Sequence, residues 1–528
     1  MNCTELKERI EGGWPGKTQC RFDAARSTNE VTCDRAVLAD VCRRIFQEWG
    51  LGFAGLIVEE GPSEWRLRYV FYGDREAGWI HVLVSAPLAE NVFPSVVIES
   101  GILAADWHER EAEDLFGVRF EGHPRLGDFV LHDDAWQEGV EPMRRGFDAQ
   151  AAMRHRLPDA DWRPRRIVQE PGAFVMPIGP KFSGVTESVH FLLETVGEDV
   201  IRSSTRLFYK WRAIEKLAEG KTVDGVLLLA ERFAATTAFA HGLAFCEAIE
   251  SICGANVPVR ARALRVFLAE LERLRQHAGA IQEICESTAL VVATSQAGIL
   301  EEDLLRVAAE LTGHRYLFGL LAPGGLLCDL PTGACRKALG QSQEVLKRLN
   351  ELERALSLSS SFLDRIEEVG VIWSRTAKAY SLVGPVARAS GLARDLRRAQ
   401  PYSGYETFEF DVPSEEEGDG YARLRVLFAE TRQSVRIMEQ AAAALREGDV
   451  CQPVSVQPGA ALGWVEAPRG GAFHWVRLDE SGRISRYRVI TPSFANWHSF
   501  HLAAEKFAFQ DFPIILSTFD LSVAENDR

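Results

Sequence analysis

Apolar residues recur at intervals of three and four over Asp34–Glu48, a spacing that predicts an amphipathic helix. Trp65–Gly73 and Trp79–Pro87 follow, rich in aromatic and β-branched residues, and read as strands. Residues 35 to 130 therefore predict a small α+β domain. Residues 150–172 break the pattern with three prolines and the cluster Arg154, Arg156, Arg163, Arg165 and Arg166, the composition of an extended linker. Its arginines suit an acidic partner, and a solvated linker is the plainer reading. Strand-like runs at 174–178 and 188–196 then lead into long segments of helical period. These cover Thr222–Ser251, Pro258–Glu286, Glu301–Leu321, Leu339–Leu363 and Tyr421–Glu447 and predict a helical bundle. Strands return at Gly463–Glu466, Ala472–Leu478 and Ile484–Ile490, the last two joined by a turn at 479–482. The predicted fold class is α+β: a small N-terminal α/β domain (1–149), a linker (150–172), and a large domain (173–528) with a helical-bundle core and peripheral strands.

Composition narrows the function classes. A chain of 528 residues is too long for one hydrophobic core. A net charge of −15 argues against a nucleic-acid partner, which wants a basic face. No apolar stretch reaches the roughly 18 residues of a membrane span, and the N-terminus lacks the apolar region of a secretory signal. These features predict a cytoplasmic protein, with any membrane association coming through partners. The ten cysteines are scattered, with no CxxC pair, and read as reduced, mostly idle thiols.

Two passages carry a family resemblance. Glu109–Pro124 (EREAEDLFGVRFEGHP) resembles the signature of the C-type component of NADH-quinone oxidoreductase, complex I. A second series runs in order through Pro177–Pro180, Arg212–Leu217, Glu231–Arg232 with Phe239–His241, and Glu270–Leu274 with His277. It continues through Gly384–Gly391, Asp395–Arg397, Pro401–Tyr402, Gly418–Asp419, Glu466–Gly470, Pro492–Phe494 and Asp527–Arg528. This series resembles the D-type component of complex I and the large subunits of membrane-bound (group 4) nickel–iron hydrogenases such as formate hydrogenlyase. The wording around Glu231–Gly242 and the fused C-type domain are closer to the hydrogenase branch. Roughly residues 1–30 lie outside the resemblance.

The resemblance implies a nickel–iron centre on four thiolates from two CxxC motifs, because soft anionic sulfur holds nickel and bridges to iron. Here Ala234 and Thr237 stand where the first pair belongs, and Ser522 and Glu525 where the second does. Alanine offers no ligand, neutral hydroxyls are poor ones, and one carboxylate cannot compensate. The chain is therefore expected to hold no metal and no cofactor of its own. In complex I the vacated space is a quinone site beside a partner's terminal iron–sulfur cluster, served by a loop histidine and a tyrosine. Here those polar positions carry Phe182 and Phe233, leaving His190 as a candidate proton donor. Glu215 resembles a cavity-edge glutamate that passes protons, against the plainer reading of a helix-surface ion pair with Lys216 or Arg212. His277 resembles a histidine facing the terminal cluster, against a buried histidine satisfied by a neighbour. Arg388 and Arg397 line the cavity or stabilise the fold, and His241 is a structural histidine beside the lost centre.

Two functional readings follow. The first places a quinone-type acceptor cavity, lined by Phe233, Thr237, His190 and Glu215, next to a partner cluster. The second is a redox-silent scaffold with a plugged cavity. The implied partners are an iron–sulfur small subunit, integral membrane subunits of a complex I-like arm, and a formate or other dehydrogenase module. No glycine-rich dinucleotide fingerprint occurs, so any NADH must be bound by a different subunit.

Overall fold

The computed structural model describes residues 3–24, 26–137, 139–154, 168, 171–181 and 187–528. Its first part is a five-stranded sheet. In spatial order the strands are Thr18–Asp23, Thr28–Cys33, Trp79–Pro87, Glu64–Tyr72 and Gly52–Glu60. All neighbours are antiparallel except Thr28–Cys33 with Trp79–Pro87. The strands expected at 65–73 and 79–87 are present. Thr18–Asp23 escaped notice because it is largely exposed and polar, and Gly52–Glu60 because it is buried on both faces and shows no alternation. The segment expected as a helix over 34–48 is helical throughout, passing from a 3-10 turn at Arg35–Val37 to α at Leu38–Arg43 and π at Arg44–Glu48.

The second part is built on the helix Val259–Ser287, packed against Ala238–Cys253, Val291–Thr312 and Gly420–Ala444, with Thr332–Ser357 beyond them. The mixed α+β class is as expected, with local differences. Helix Val291–Thr312 begins and ends ten or so residues earlier than its period suggested, because Gly313 at φ +83° closes it. The stretch 222–251 is two helices, Val223–Arg232 and Ala238–Cys253, parted by a 3-10 turn at Ala235–Thr237. A four-stranded sheet orders Phe507–Ala508, Asp199–Arg206, His190–Val196 and Ala173–Ile178. A three-stranded antiparallel sheet, Gly459–Ala467, Gly470–Leu478 and Ile484–Ile490, completes the fold. The arginine-rich stretch 155–167 lies outside the described residues.

The two parts share one core. Ile57, Tyr72 and Trp79 pack with Leu462, Phe473, Trp475 and Ile490, which is why Gly52–Glu60 has no solvent face. Gly55 permits the approach: at φ +150° its added Cβ would lie 2.5 Å from Ile490 Cδ1 and 2.7 Å from His108 Cε1. Ion pairs bind the same junction. Glu111, on helix Ala105–Phe116, accepts from Arg528 Nη2 at 2.9 Å and pairs with Arg488. Burial pushes the Glu111 carboxyl up, but Arg488 and Arg528 outweigh it and hold it below its ordinary range. Glu59 receives Arg477 Nε at 2.7 Å.

Removing one member of a buried ion pair strands the other, so Glu111→Ala is expected to cost about 3–5 kcal/mol. Urea unfolding checks this, and a loss below about 1 kcal/mol would show that Arg488 and Arg528 are held without it.

Candidate functional site

The break between helices Val223–Arg232 and Ala238–Cys253 creates the site. Thr237 ends the turn, donating its backbone N–H to the Ala234 carbonyl at 3.1 Å. The second helix is pressed onto the C-terminal sheet: a Cβ on Gly463 would sit 2.0 Å from the Ala244 carbonyl oxygen. The chain's last residues fold back beside it. Ser522 N–H donates to Ser493 Oγ at 3.1 Å and Glu525 N–H to Ser522 Oγ at 3.2 Å. The two segments meet where Thr237 Oγ1 donates to Glu525 Oε1 at 3.1 Å.

Glu525 is fully buried and accepts also from Ser493 N–H (3.1 Å) and Arg469 Nη1 (3.4 Å). Burial raises its carboxyl, but the facing His241 and Arg469 outweigh that and hold it at about 2. Arg469 donates further to Thr236 Oγ1 (3.1 Å) and to Asp520 Oδ1 (3.1 Å). His241 Nε2 stands 3.8 Å from Glu525 Oε1, beyond hydrogen-bond length. Its Nδ1 meets His474 Nε2 at 3.1 Å, and His474 Nδ1 meets Tyr487 Oη at 2.8 Å. Burial keeps His474 neutral, its pKa driven well below the usual imidazole range. The Phe233 ring covers His241 at 4.5 Å between centroids.

Ala234, Thr237, Ser522 and Glu525, the positions read as replaced thiolates, thus gather in one buried place. As donors they do not fit a nickel–iron centre: no soft anion remains, and the single carboxylate is held by a guanidinium. Phe233 and His241 belong to this cluster.

The other expected site residues lie elsewhere. Glu215 is buried, not on a helix surface: its oxygens take Arg488 Nη1 and Val489 N–H at 3.1 Å and Arg486 Nη2 at 3.1 Å. Lys216 pairs instead with Glu219 at 2.7 Å, and Arg212 Nε donates to the Asp527 carbonyl at 3.0 Å. His190 is half-buried, its Nδ1 3.2 Å from Tyr209 Oη. His277 is fully buried with Nε2 2.9 Å from Glu430 Oε2. Its Nδ1 has no partner among the described residues. Arg388 joins Glu430 (2.6 Å) and Glu466 (2.9 Å), while Arg397 joins Glu270 (2.9 Å) and Asp395. Phe182 lies outside the described residues. Sequence reasoning missed Arg469, His474, Tyr487 and Glu430. A buried carboxylate in place of a thiolate calls for a cation, and Arg469 within EAPRG was the visible one. The His474–Tyr487 pair is made by two neighbouring strands and left no linear signal.

Comparison with known proteins fits a polypeptide of two fused parts. Residues 31–153 match the family described as respiratory-chain NADH dehydrogenase, 30 kDa subunit. Residues 293–455 and 450–528 match the 49 kDa subunit of the same enzyme. The chain is 30% identical over 456 residues to formate hydrogenlyase subunit 5 of Escherichia coli, covering 85% of this chain and 79% of that one. It is 27% identical over 500 residues to the fused C/D protein of NADH-quinone oxidoreductase from Bdellovibrio bacteriovorus, covering 87% of each. With the corresponding C/D protein of Acinetobacter baylyi it shares 28% over 494 residues, 84% of this chain and 80% of that one. The architecture is thus that of a 30 kDa-type domain fused to a 49 kDa-type domain. The chain belongs to the family of complex I and formate hydrogenlyase subunits, oxidoreductase-complex proteins. No helix among the described residues is long and apolar enough to cross a membrane.

Glu525→Gln removes the charge that answers Arg469 and is expected to cost about 1–3 kcal/mol near pH 7. Because the folded carboxyl lies below its ordinary 4.5, its stabilisation is complete above that pH and fades as pH falls towards 2. The gap in Tm between parent and variant therefore narrows under acid. A gap constant with pH would show that this carboxylate carries no ionic role.

Proposed function

We propose that the chain is a peripheral subunit of a membrane-bound oxidoreductase complex of the complex I and formate hydrogenlyase kind. It sits on the cytoplasmic side of the inner membrane, beside an iron–sulfur subunit and attached through integral membrane partners. At the position of the lost nickel–iron centre it is redox-silent, holding that assembly together. The observation that carries this reading is Glu525. Its carboxylate is fully buried and committed to protein partners, accepting from Thr237, Ser493 and Arg469. Glu215 supports the same reading, since three arginines surround it and it serves as a cross-link.

A quinone-type acceptor is the second reading, and one contact favours it. His190 and Tyr209 form a half-buried histidine–tyrosine pair on the four-stranded sheet and the loop that follows it. Such a pair suits the two carbonyl oxygens of a quinone. The formate or other donor module of the assembly is a partner in either case.

The test is the native assembly, purified and analysed for metals and quinone reduction together. The expected result is iron without nickel, and donor-to-acceptor electron transfer unchanged by Tyr209→Phe or His190→Ala. Stoichiometric nickel overturns the proposal. Inhibitor-sensitive quinone reduction lost in either variant replaces the scaffold with the second reading.

A further inference from the structure

A groove of about 1050 Å³ runs along the junction of the two parts. One wall comes from the 30 kDa-type part, through Gln47, Gly101 and Leu103. The other comes from the 49 kDa-type part: helix Ser374–Ala379, the loop 391–394, and Leu502 on helix Pro492–Ala503. Direct hydrogen bonds hold the walls together. Ala104 N–H donates to the Ala379 carbonyl at 3.2 Å, Arg394 Nη2 to the Gly50 carbonyl at 2.7 Å, and Phe53 N–H to Ser381 Oγ at 3.0 Å. The groove is thus formed before any occupant arrives, which lowers the ordering cost of binding.

Its floor is apolar and reachable, since Leu103, Tyr380 and Leu502 are each partly exposed. Its rim is basic. Arg375 and Lys378 are exposed and form no ion pair among the described residues, and the partly buried Arg394 gives one nitrogen to Gly50. No Asp or Glu stands among the lining residues, although the chain as a whole carries −15. Trp373, one position before the helix, is 68% exposed, an aromatic of the kind that interfaces bury.

These features select the occupant. The volume lies at the upper limit of the roughly 300–1,000 Å³ of small-molecule pockets, so the groove has room for a stretch of polypeptide. Concave walls do not fit a flat lipid surface, and the negative chain around them repels nucleic acid. Three cations about an apolar floor complement carboxylates set among apolar side chains. We infer that this groove docks an acidic segment of a partner subunit. Its carboxylates meet Arg375, Lys378 and Arg394, and its apolar side chains lie on Leu103, Tyr380 and Leu502. The inference rests on the reading of the chain as a subunit of a larger assembly. Because the walls come from both parts, the docked segment clasps their junction from outside.

The test places p-benzoylphenylalanine at Thr376, a lining position, within the native assembly and identifies the photo-crosslinked peptides by mass spectrometry. The expected product is a segment of net negative charge from a copurifying subunit. Arg375→Glu combined with Lys378→Glu, both at exposed positions, should lower the crosslink yield about tenfold with Tm unchanged. In the parent, added salt should lower the yield as well, a readout that needs no charge variant. A crosslink to a neutral or basic segment, to a second copy of this chain, to lipid or to nucleic acid would overturn the inference, and so would a yield indifferent to both charge reversal and salt. An assembly that copurifies but gives no crosslink overturns it too and leaves the subunit reading standing. A chain that purifies without any partner overturns that reading along with it.

Discussion

Buried charge, matched residue by residue, holds this protein together. Helix Val259–Ser287 runs through the core carrying Arg265, Glu270, Arg273 and His277, and each is answered from elsewhere. Arg265 takes Glu250, Glu270 takes Arg397, Arg273 takes the Glu466 backbone carbonyl, and His277 takes Glu430. A charge left alone in such a place would cost several kcal/mol or neutralise itself. The partners are thus obligatory, and they fix how the helices, the C-terminal sheet and the motif-bearing loops sit relative to one another. Arg388 shows the logic at its fullest. It bridges Glu430 on a long helix and Glu466 on a strand, and these carboxylates keep its guanidinium charged despite complete burial.

The same rule governs the core around Glu525. Arg469 faces this core and calls for an anion there. Glu525 supplies that anion, and its carboxylate reaches Thr237 as well. The turn at Ala235–Thr237 and the segment carrying Glu525 are thus joined by a direct hydrogen bond.

The junction between the two parts follows a third version of the rule. Glu111 comes from the 30 kDa-type part, while Arg488 and Arg528 come from the 49 kDa-type part, so neither side is electrically complete alone. Aromatic packing around Trp79, Trp464 and Phe473 surrounds this ionic joint. Together they make the interface continuous with both cores, unlike the polar contact of loosely tethered domains.

Residue order alone determined the α+β class, the helical bundle and the strands at Trp79–Pro87 and Ile484–Ile490. Those readings rest on local period and on residue chemistry, both of which are linear properties. Thr18–Asp23 was silent because it is largely exposed and polar, and Thr28–Cys33 because its buried positions include the polar Thr28 and Asn29, which leave no apolar period to read. The break at Ala235–Thr237 was invisible because alanine and threonine there do not interrupt a helical pattern. Only the tertiary structure decided that Glu525 meets Arg469, that Glu215 is a buried cross-link, and that His241, His474 and Tyr487 form one chain. Apart from the hairpin pair His474–Tyr487, each of those contacts joins residues far apart in sequence, and burial belongs to the packed molecule and to no segment of it.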